Sequence, residues 1–289
     1  MKSYHIPVLL KESIELLNIN PKGTYIDCTL GEGGHSFAIY QKLNGGKLIS
    51  IDADQETIDF VLEKYGKKDN WEVFRSNFSK IKEIVKGEMA DGILMDLGIS
   101  SRQLEATKRG FSYNQKSEEL DMRMDETLGV KALDLLNALS EKDLTNIFFK
   151  YGEEKYSRRI AKEIKKTGNI KTVGDLTSLV LKVVPAANLR NDNHNPARRV
   201  FQALRIAVND ELGSLEIGLK DGFEILNKKG RLVVITFHSL EDRIVKKFFE
   251  EKVKEGKALK VIDFQQPTET ELKLNAKAHS AKIRCVEKI

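Results

Sequence analysis

The chain has 289 residues, of which 40% are apolar and 31% charged, with five prolines, two cysteines and a net charge of +5. This balance suits one large or two ordinary globular domains, and excludes a disordered tract, a collagen-like repeat or a disulfide-stapled fold. The longest apolar runs, such as Leu232–Phe237, are far too short to span a bilayer.

The opening residues Met1–Pro7 lack the apolar core of a signal peptide, and a cytoplasmic location is expected. A helix is predicted over Val8–Leu17. Strands then follow at Thr24–Thr29, Lys47–Ile51, Trp71–Arg75 and Gly92–Met95. Helices over Gly34–Leu43, Gln55–Tyr65 and Ser79–Lys86 fill the gaps. Such alternation implies a parallel sheet with helices on both faces. Right-handed crossovers then gather the carboxyl ends of the strands along one edge.

The alternation stops after Leu97–Ser101. A polar stretch runs from Arg102 to about Thr127. Helical patterns dominate next, over Val130–Leu139, Glu141–Lys150, Ser157–Lys166, Val173–Val183 and Ala197–Val208. The earlier grammar returns with a helix at Leu212–Leu226, a turn at Asn227–Gly230 and a strand at Arg231–Phe237. A helix at Leu240–Val253 and strands near Leu259–Phe264 and Lys282–Val286 complete it. The expected architecture is a doubly wound α/β domain over residues 1–101 and 210–289, with a helical domain inserted over 102–209. The insertion enters at the mouth of the expected site, where a substrate platform belongs. Between Lys150 and Arg205 there are thirteen basic and five acidic residues. That excess suggests a polyanionic partner; a solvated helical face is the plainer alternative. Cys28 and Cys285 fall inside predicted strands without metal-ligand spacing, so no metal is expected.

The stretch Asp27-Cys28-Thr29-Leu30-Gly31-Glu32-Gly33-Gly34-His35-Ser36 reads as a strand that ends in a glycine turn and opens a helix. The next strand ends in Asp52. A glycine turn followed by an acid at the tip of the second strand is the grammar of a nucleoside-cofactor site, the carboxylate accepting bonds from ribose hydroxyls. A dinucleotide fingerprint wants a third glycine where this chain has Ser36, and no Walker lysine follows. S-adenosylmethionine, which has a ribose and no phosphate, therefore fits better than NAD. Asp96, at the end of the fourth strand, then stands beside the reacting centre. Methylation at a pyrimidine carbon calls for a cysteine nucleophile, and none lies near Asp96. A nitrogen or oxygen acceptor is favoured. The loop Asp96-Leu97-Gly98-Ile99-Ser100-Ser101 offers a carboxylate and two hydroxyls to hold an exocyclic amine. A base acceptor must be unstacked. Phe111 and Tyr113, in Arg109-Gly110-Phe111-Ser112-Tyr113, are candidates to stack on it, or equally anchors of the loop.

These motifs, with Leu120–Asp125, Tyr151–Glu154, Phe201–Asn209 and Phe237–Arg243, form an ordered set over nearly the whole chain. In this the chain resembles the bacterial small-subunit ribosomal RNA methyltransferase H family, also called MraW. The resemblance implies a Rossmann-like class I methyltransferase fold with an inserted, mainly helical domain. It also implies transfer from S-adenosylmethionine to the exocyclic N4 amine of a cytosine in the decoding region of small-subunit ribosomal RNA. Carried over by motif, cofactor contacts fall on Gly33, Gly34, His35, Asp52, Phe78, Asp96 and Gln103, with Asp96 also orienting the amine. Ser100, Ser101, Arg109, Phe111, Tyr113, Arg198 and Arg199 are the candidate substrate contacts. The partner is ribosomal RNA or the assembled small subunit, with no membrane, and both monomer and homodimer stay open. Two departures stand out. Arg102 replaces the family's usual proline before Gln103, and Ala276–Arg284 lacks the usual Asn-Pro-Arg lead. An oxidoreductase using NAD and a non-catalytic RNA-binding or assembly factor are the alternatives from other classes.

Overall fold

The computed structural model describes residues 7–105, 107–185 and 195–289. His5 and Ile6 of the N-terminal motif, and Arg190 and Asp192 of the basic stretch, lie outside the described residues. The chain forms two compact units, Met1–Ser100 with Leu212–Ile289, and Ser101–Glu211.

The first unit is built on seven strands: β1 Thr24–Asp27, β2 Lys47–Asp52, β3 Trp71–Arg75, β4 Ala90–Asp96, β5 Leu226–Thr236, β6 Ala258–Gln265 and β7 Lys282–Lys288. Their order is β3-β2-β1-β4-β5-β7-β6. The first five run parallel, and β7 pairs antiparallel with both β5 and β6. Side chains alternate between two apolar layers, as the period of a strand requires. Ile93 and Met95 pack with Leu219, Phe223, Val245 and Phe249. Leu94, between them in sequence, packs on the opposite layer with Leu17, Ile58, Val61 and Trp71. Each such side chain contributes roughly 1.5–3 kcal/mol by leaving water.

Two local expectations changed. Asn227–Gly230 loop out within β5 instead of preceding it: Ala90 pairs with Leu226 and Gly92 with Arg231. Lys229 takes a left-handed φ of 67° there. The helix expected over Ser79–Lys86 is divided into a 3-10 turn, Phe78–Lys80, and a short helix, Ile81–Val85. The Asn77 side chain accepts the Ser79 N–H at 2.9 Å and so starts the turn.

The second unit is helical: Ser101–Glu105, Ala132–Ala138, Glu141–Gly152, Ser157–Thr167, Val173–Val183 and Ala197–Asn209. Phe148, Ile160, Val180, Val200 and Leu204 are fully buried in it. Gly152 lets two helices touch, because a Cβ there would lie 2.6 Å from the Arg199 carbonyl oxygen. The polar stretch before these helices is tied down rather than loose. Asp121 makes a two-point ion pair with Arg123 at 2.7 and 2.8 Å. The Asn209 amide clamps the same turn, donating to Met122 O at 2.7 Å and accepting from Met124 N–H at 2.8 Å. These bonds give the Leu120–Asp125 and Phe201–Asn209 motifs a shared structural task.

Candidate active site

In the first unit the strand sequence reverses between β1 and β4, and an open parallel sheet leaves a crevice at that point. Past Asp27 the chain keeps following the sheet. Cys28 N–H donates to Leu94 O and Leu30 N–H to Ile51 O, both at 2.9 Å. It then turns through Gly31 and Gly33, whose φ values of 50° and 78° are left-handed and favour glycine. Gly34 is needed for another reason: a Cβ there would lie 2.1 Å from Pro7 Cγ. A Cβ on Gly33 would meet Tyr65 at 2.8 Å. Among the described residues, a Cβ on Gly31 would meet only Thr29 O at 3.8 Å and Ser100 Cβ at 4.0 Å. The turn is therefore packed on one side and open on the other.

Asp52 holds this turn from the end of β2. Its Oδ2 accepts the Gly31 N–H and its Oδ1 the Asp54 N–H, both at 2.9 Å. A carboxylate offers about four acceptor sites, so these bonds do not exhaust it. Burial pushes the Asp52 carboxyl up to about 6 despite those bonds, with the Asp54 charge adding to the rise.

Asp96 ends β4. Its N–H donates to Thr29 Oγ1 at 2.7 Å, which joins the β1 and β4 loops. Its Oδ2 lies 3.5 Å from Nδ1 of the buried His35. Its Oδ1 is buried and has no hydrogen-bond partner among the described residues. Burial raises the Asp96 carboxyl well above its ordinary range, and the charges of Asp27 and Glu241 raise it further.

Behind the crevice runs a chain of donors. Trp71 Nε1–H donates to Ser50 Oγ at 2.9 Å, the Ser50 and Ser36 hydroxyls are 2.8 Å apart, and Ser36 donates to Asp27 Oδ2 at 2.6 Å. Burial nonetheless pushes the Asp27 carboxyl up to about 7, against an ordinary 3.8. The folded state thus holds a proton between those values that the unfolded state has released. Stability from this group is fully present below pH 4 and is lost as pH rises through about 7, by up to ~1.4 kcal/mol per unit. Chemical denaturation between pH 5 and 8 is expected to show this decline, and Asp27→Asn to flatten it. An unchanged slope in that variant would show that Asp27 is not the source.

Phe78 lies beyond β3, its ring against the Gly218 backbone, where a Cβ would be 2.6 Å from Phe78 Cδ2. Beyond β5, Glu241 Oε2 accepts the N–H groups of Phe237 at 2.9 Å and His238 at 3.3 Å. His238 Nδ1 accepts the Glu241 N–H at 3.4 Å, completing a reciprocal cap on the helix Ser239–Lys254. The Phe237 ring lies 3.6 Å from where a Gly98 Cβ would stand. Sequence reasoning did not single out Glu241. Its only signal was the spacing of a capping pattern.

Gly33, Gly34, His35, Asp52, Phe78, Asp96 and Ser100 thus all lie in the first unit, past the ends of β1 to β4. Ser101, Gln103, Arg109, Phe111, Tyr113, Arg198 and Arg199 belong to the second. Gln103 is buried in the short helix Ser101–Glu105. Arg109 and Phe111 depart from the expected substrate role, since both are buried. Arg109 donates to Arg123 O at 3.0 Å and Met124 O at 3.1 Å, with its guanidinium 5.7 Å from the Phe111 ring. In this structure they anchor the loop instead of facing solvent. Tyr113 is half-buried, edge-on to Phe201 at 6.2 Å. Arg198 is exposed, and Arg199 lies 3.9 Å from the buried Glu154 Oε2. Among the described residues no helix is long and apolar enough to cross a membrane.

A family model described as the MraW methylase family matches residues 2–289. Proteins named Ribosomal RNA small subunit methyltransferase H are similar along their whole length. That of Brevibacillus brevis is 44% identical, over 99% of this chain and 98% of its own. Those of Caldicellulosiruptor saccharolyticus and Fusobacterium nucleatum are each 44% identical over 99% of this chain, and over 99% and 97% of their own. A solved rRNA methylase from Streptococcus thermophilus is more distant, 10% identical with a TM-score of 0.46 over 97% of this chain and 93% of that one. The sheet, with its antiparallel β7 between β5 and β6, has the Rossmann-like arrangement of class I methyltransferases. With a family match from end to end, the chain belongs to the MraW methylase family.

Proposed function

We propose that this protein transfers a methyl group from S-adenosylmethionine to the exocyclic N4 amine of a cytosine in the decoding region of small-subunit ribosomal RNA. Its place of action would be the cytoplasm. The relatives named above act, by their names, on small-subunit ribosomal RNA, and the family match extends that reading to this chain. The observation that carries it is the buried Asp96 Oδ1, an acceptor without a hydrogen-bond partner among the described residues, in the crevice that also holds the open Gly31 turn.

The donor fits the residue types that the family motifs carry over. The backbone of Gly33 and Gly34 would line it, Asp52 would accept the ribose hydroxyls, Phe78 would lie near the adenine, and His35, Asp96 and Gln103 would complete the contacts. When bound, S-adenosylmethionine supplies a methyl carbon already activated by a sulfonium. The remaining work falls to the protein, and it is placement and exclusion of water. Asp96 Oδ1 would accept one N–H of the amine and so draw the nitrogen lone pair out of the aromatic ring. The hydroxyls of Ser100 and Ser101 would steady the same base, and Tyr113 would offer a ring edge to it. The insertion over 102–209 would recognise the RNA, with Arg198 and Arg199 among its phosphate contacts.

The test is methyl transfer with labelled donor, run on naked RNA beside small subunits from a strain lacking the modification. Label on the cytosine N4 after nucleoside digestion is the expected result. Label on a ring carbon, or no transfer to either substrate, would overturn the reading.

A further inference from the structure

We propose that Glu241 is a positioning residue for methyl transfer: a buried carboxylate, fixed at the start of the helix Ser239–Lys254, that helps Asp96 take up the proton on the amine side of the site. This rests on the methyl-transfer reading above and adds to it a residue with its own task.

A capping box alone does not call for what is seen. The cap needs an oxygen acceptor, and glutamine supplies one without charge. Glu241 is only 2% exposed, and burying a carboxylate costs several kcal/mol unless the charge is compensated. Compensation is present. Oε2 accepts two N–H groups, the sixteen-residue helix points its positive end at the side chain, and Oε1 lies 3.1 Å from His238 Nε2. The fold therefore surrounds this buried carboxylate with donors rather than leaving it bare.

Glu241 lies on the helix that follows β5, and β5 is the strand paired with β4, which Asp96 ends. Asp96 pairs with Ile235, Leu97 N–H donates to Ile235 O at 3.0 Å, and the Phe237 ring covers Gly98. On the other side, Asp27 ends β1 and is anchored by Ser36 and Thr29. Among the described residues, the groups that act on Asp96 are Asp27 from β1, His35 from the helix after it, and Glu241 from the helix after β5. Two of these are acids held by donors of their own, whereas one oxygen of Asp96 is not. The negative charges of Asp27 and Glu241 both increase the hold of Asp96 on a proton.

The chemistry uses that hold. The amine nitrogen forms the new bond to the methyl carbon with its own electron pair, while the pair of the breaking carbon–sulfur bond stays on sulfur. Positive charge so moves from sulfur to nitrogen, and the nitrogen becomes neutral again by releasing one proton. Asp96 receives it. Flanking negative charge makes Asp96 a stronger base and stabilises the nitrogen as its charge develops.

The experiment is single-turnover transfer by the full chain from pH 5.5 to 9, on small subunits lacking the modification, with S-adenosylhomocysteine binding measured by calorimetry. Glu241→Gln keeps the cap and removes the charge. The expected result is a plateau rate about tenfold lower and an acid limb about one pH unit lower, with cofactor affinity unchanged. A variant whose rate falls while its acid limb stays in place would overturn the proposal and leave Glu241 a helix cap. Glu241→Asp, which keeps the charge, is expected to retain the wild-type acid limb even where Glu241→Gln fails to fold. A limb displaced as far in Glu241→Asp as a lost charge would give also overturns it. No transfer by the unaltered protein would remove the methyl-transfer reading itself, and this proposal with it.

Discussion

Asp96→Asn is expected to slow single-turnover methyl transfer at saturating donor by at least ~100-fold, with S-adenosylhomocysteine affinity falling far less. The substitution preserves shape but changes the chemistry of the buried oxygen. An amide cannot take up the proton that the amine must lose, and its NH2 group can present donors where the substrate also presents donors. Stability should not fall and can rise. Burial and the neighbouring carboxylates of Asp27 and Glu241 disfavour the ionised form of Asp96, so the neutral amide removes a destabilising charge that the native fold tolerates for function. Calorimetry beside quench-flow transfer separates the two effects. A rate within about threefold of wild type would remove Asp96 from the chemistry.

Asp52→Ala should act on the other half of the reaction. It removes the proposed ribose acceptor and also leaves the N–H groups of Gly31 and Asp54 without the carboxylate they use. Cofactor affinity is expected to weaken about 100-fold, or roughly 2.7 kcal/mol. Transfer at saturating donor should fall far less. The pH dependence gives a second check. The Asp52 carboxyl is pushed up to about 6 by burial, and the ionised form is the better acceptor for two hydroxyls. Affinity should therefore hold above pH 6 and weaken as pH falls through it, by up to about tenfold per unit. In Asp52→Asn that dependence should vanish. Normal affinity in Asp52→Ala, measured by calorimetry, would refute the ribose role.

Much of the first unit was legible locally. The apolar runs that became β1 to β4, the glycines at Gly31 and Gly33, and the acids closing β2 and β4 are all readable within a few residues of each other. The helix Gln55–Tyr65 was marked at both ends, by Asp54 accepting the Glu56 N–H and by Gly66 at a φ of 69°. The short helix Ser101–Glu105 was not legible, because its polar neighbourhood reads as loop. Arg109 was legible as a residue type able to meet RNA, and Phe111 equally as a stacking ring or as an anchor of the loop. Their burial is decided by Arg123 and Met124, whose carbonyls reach Arg109 across more than a dozen residues of sequence.

By itself the sequence determined the elements, the interruption of their alternation, and the acids that end strands. These depend on periodicity and on backbone preferences, both properties of neighbouring residues. Only the tertiary structure decided what the acids do. Asp27 read as one residue of a strand, and becomes a buried acid fed by Ser36, Ser50 and Trp71. Glu241 was one residue of the Phe237–Arg243 motif, and becomes a buried carboxylate on the helix that follows the strand paired with Asp96. The physical reason is that a carboxylate's charge state is set by which distant segments exclude water from it and which donors they bring. Strand order makes that choice, through pairings between residues far apart in the chain.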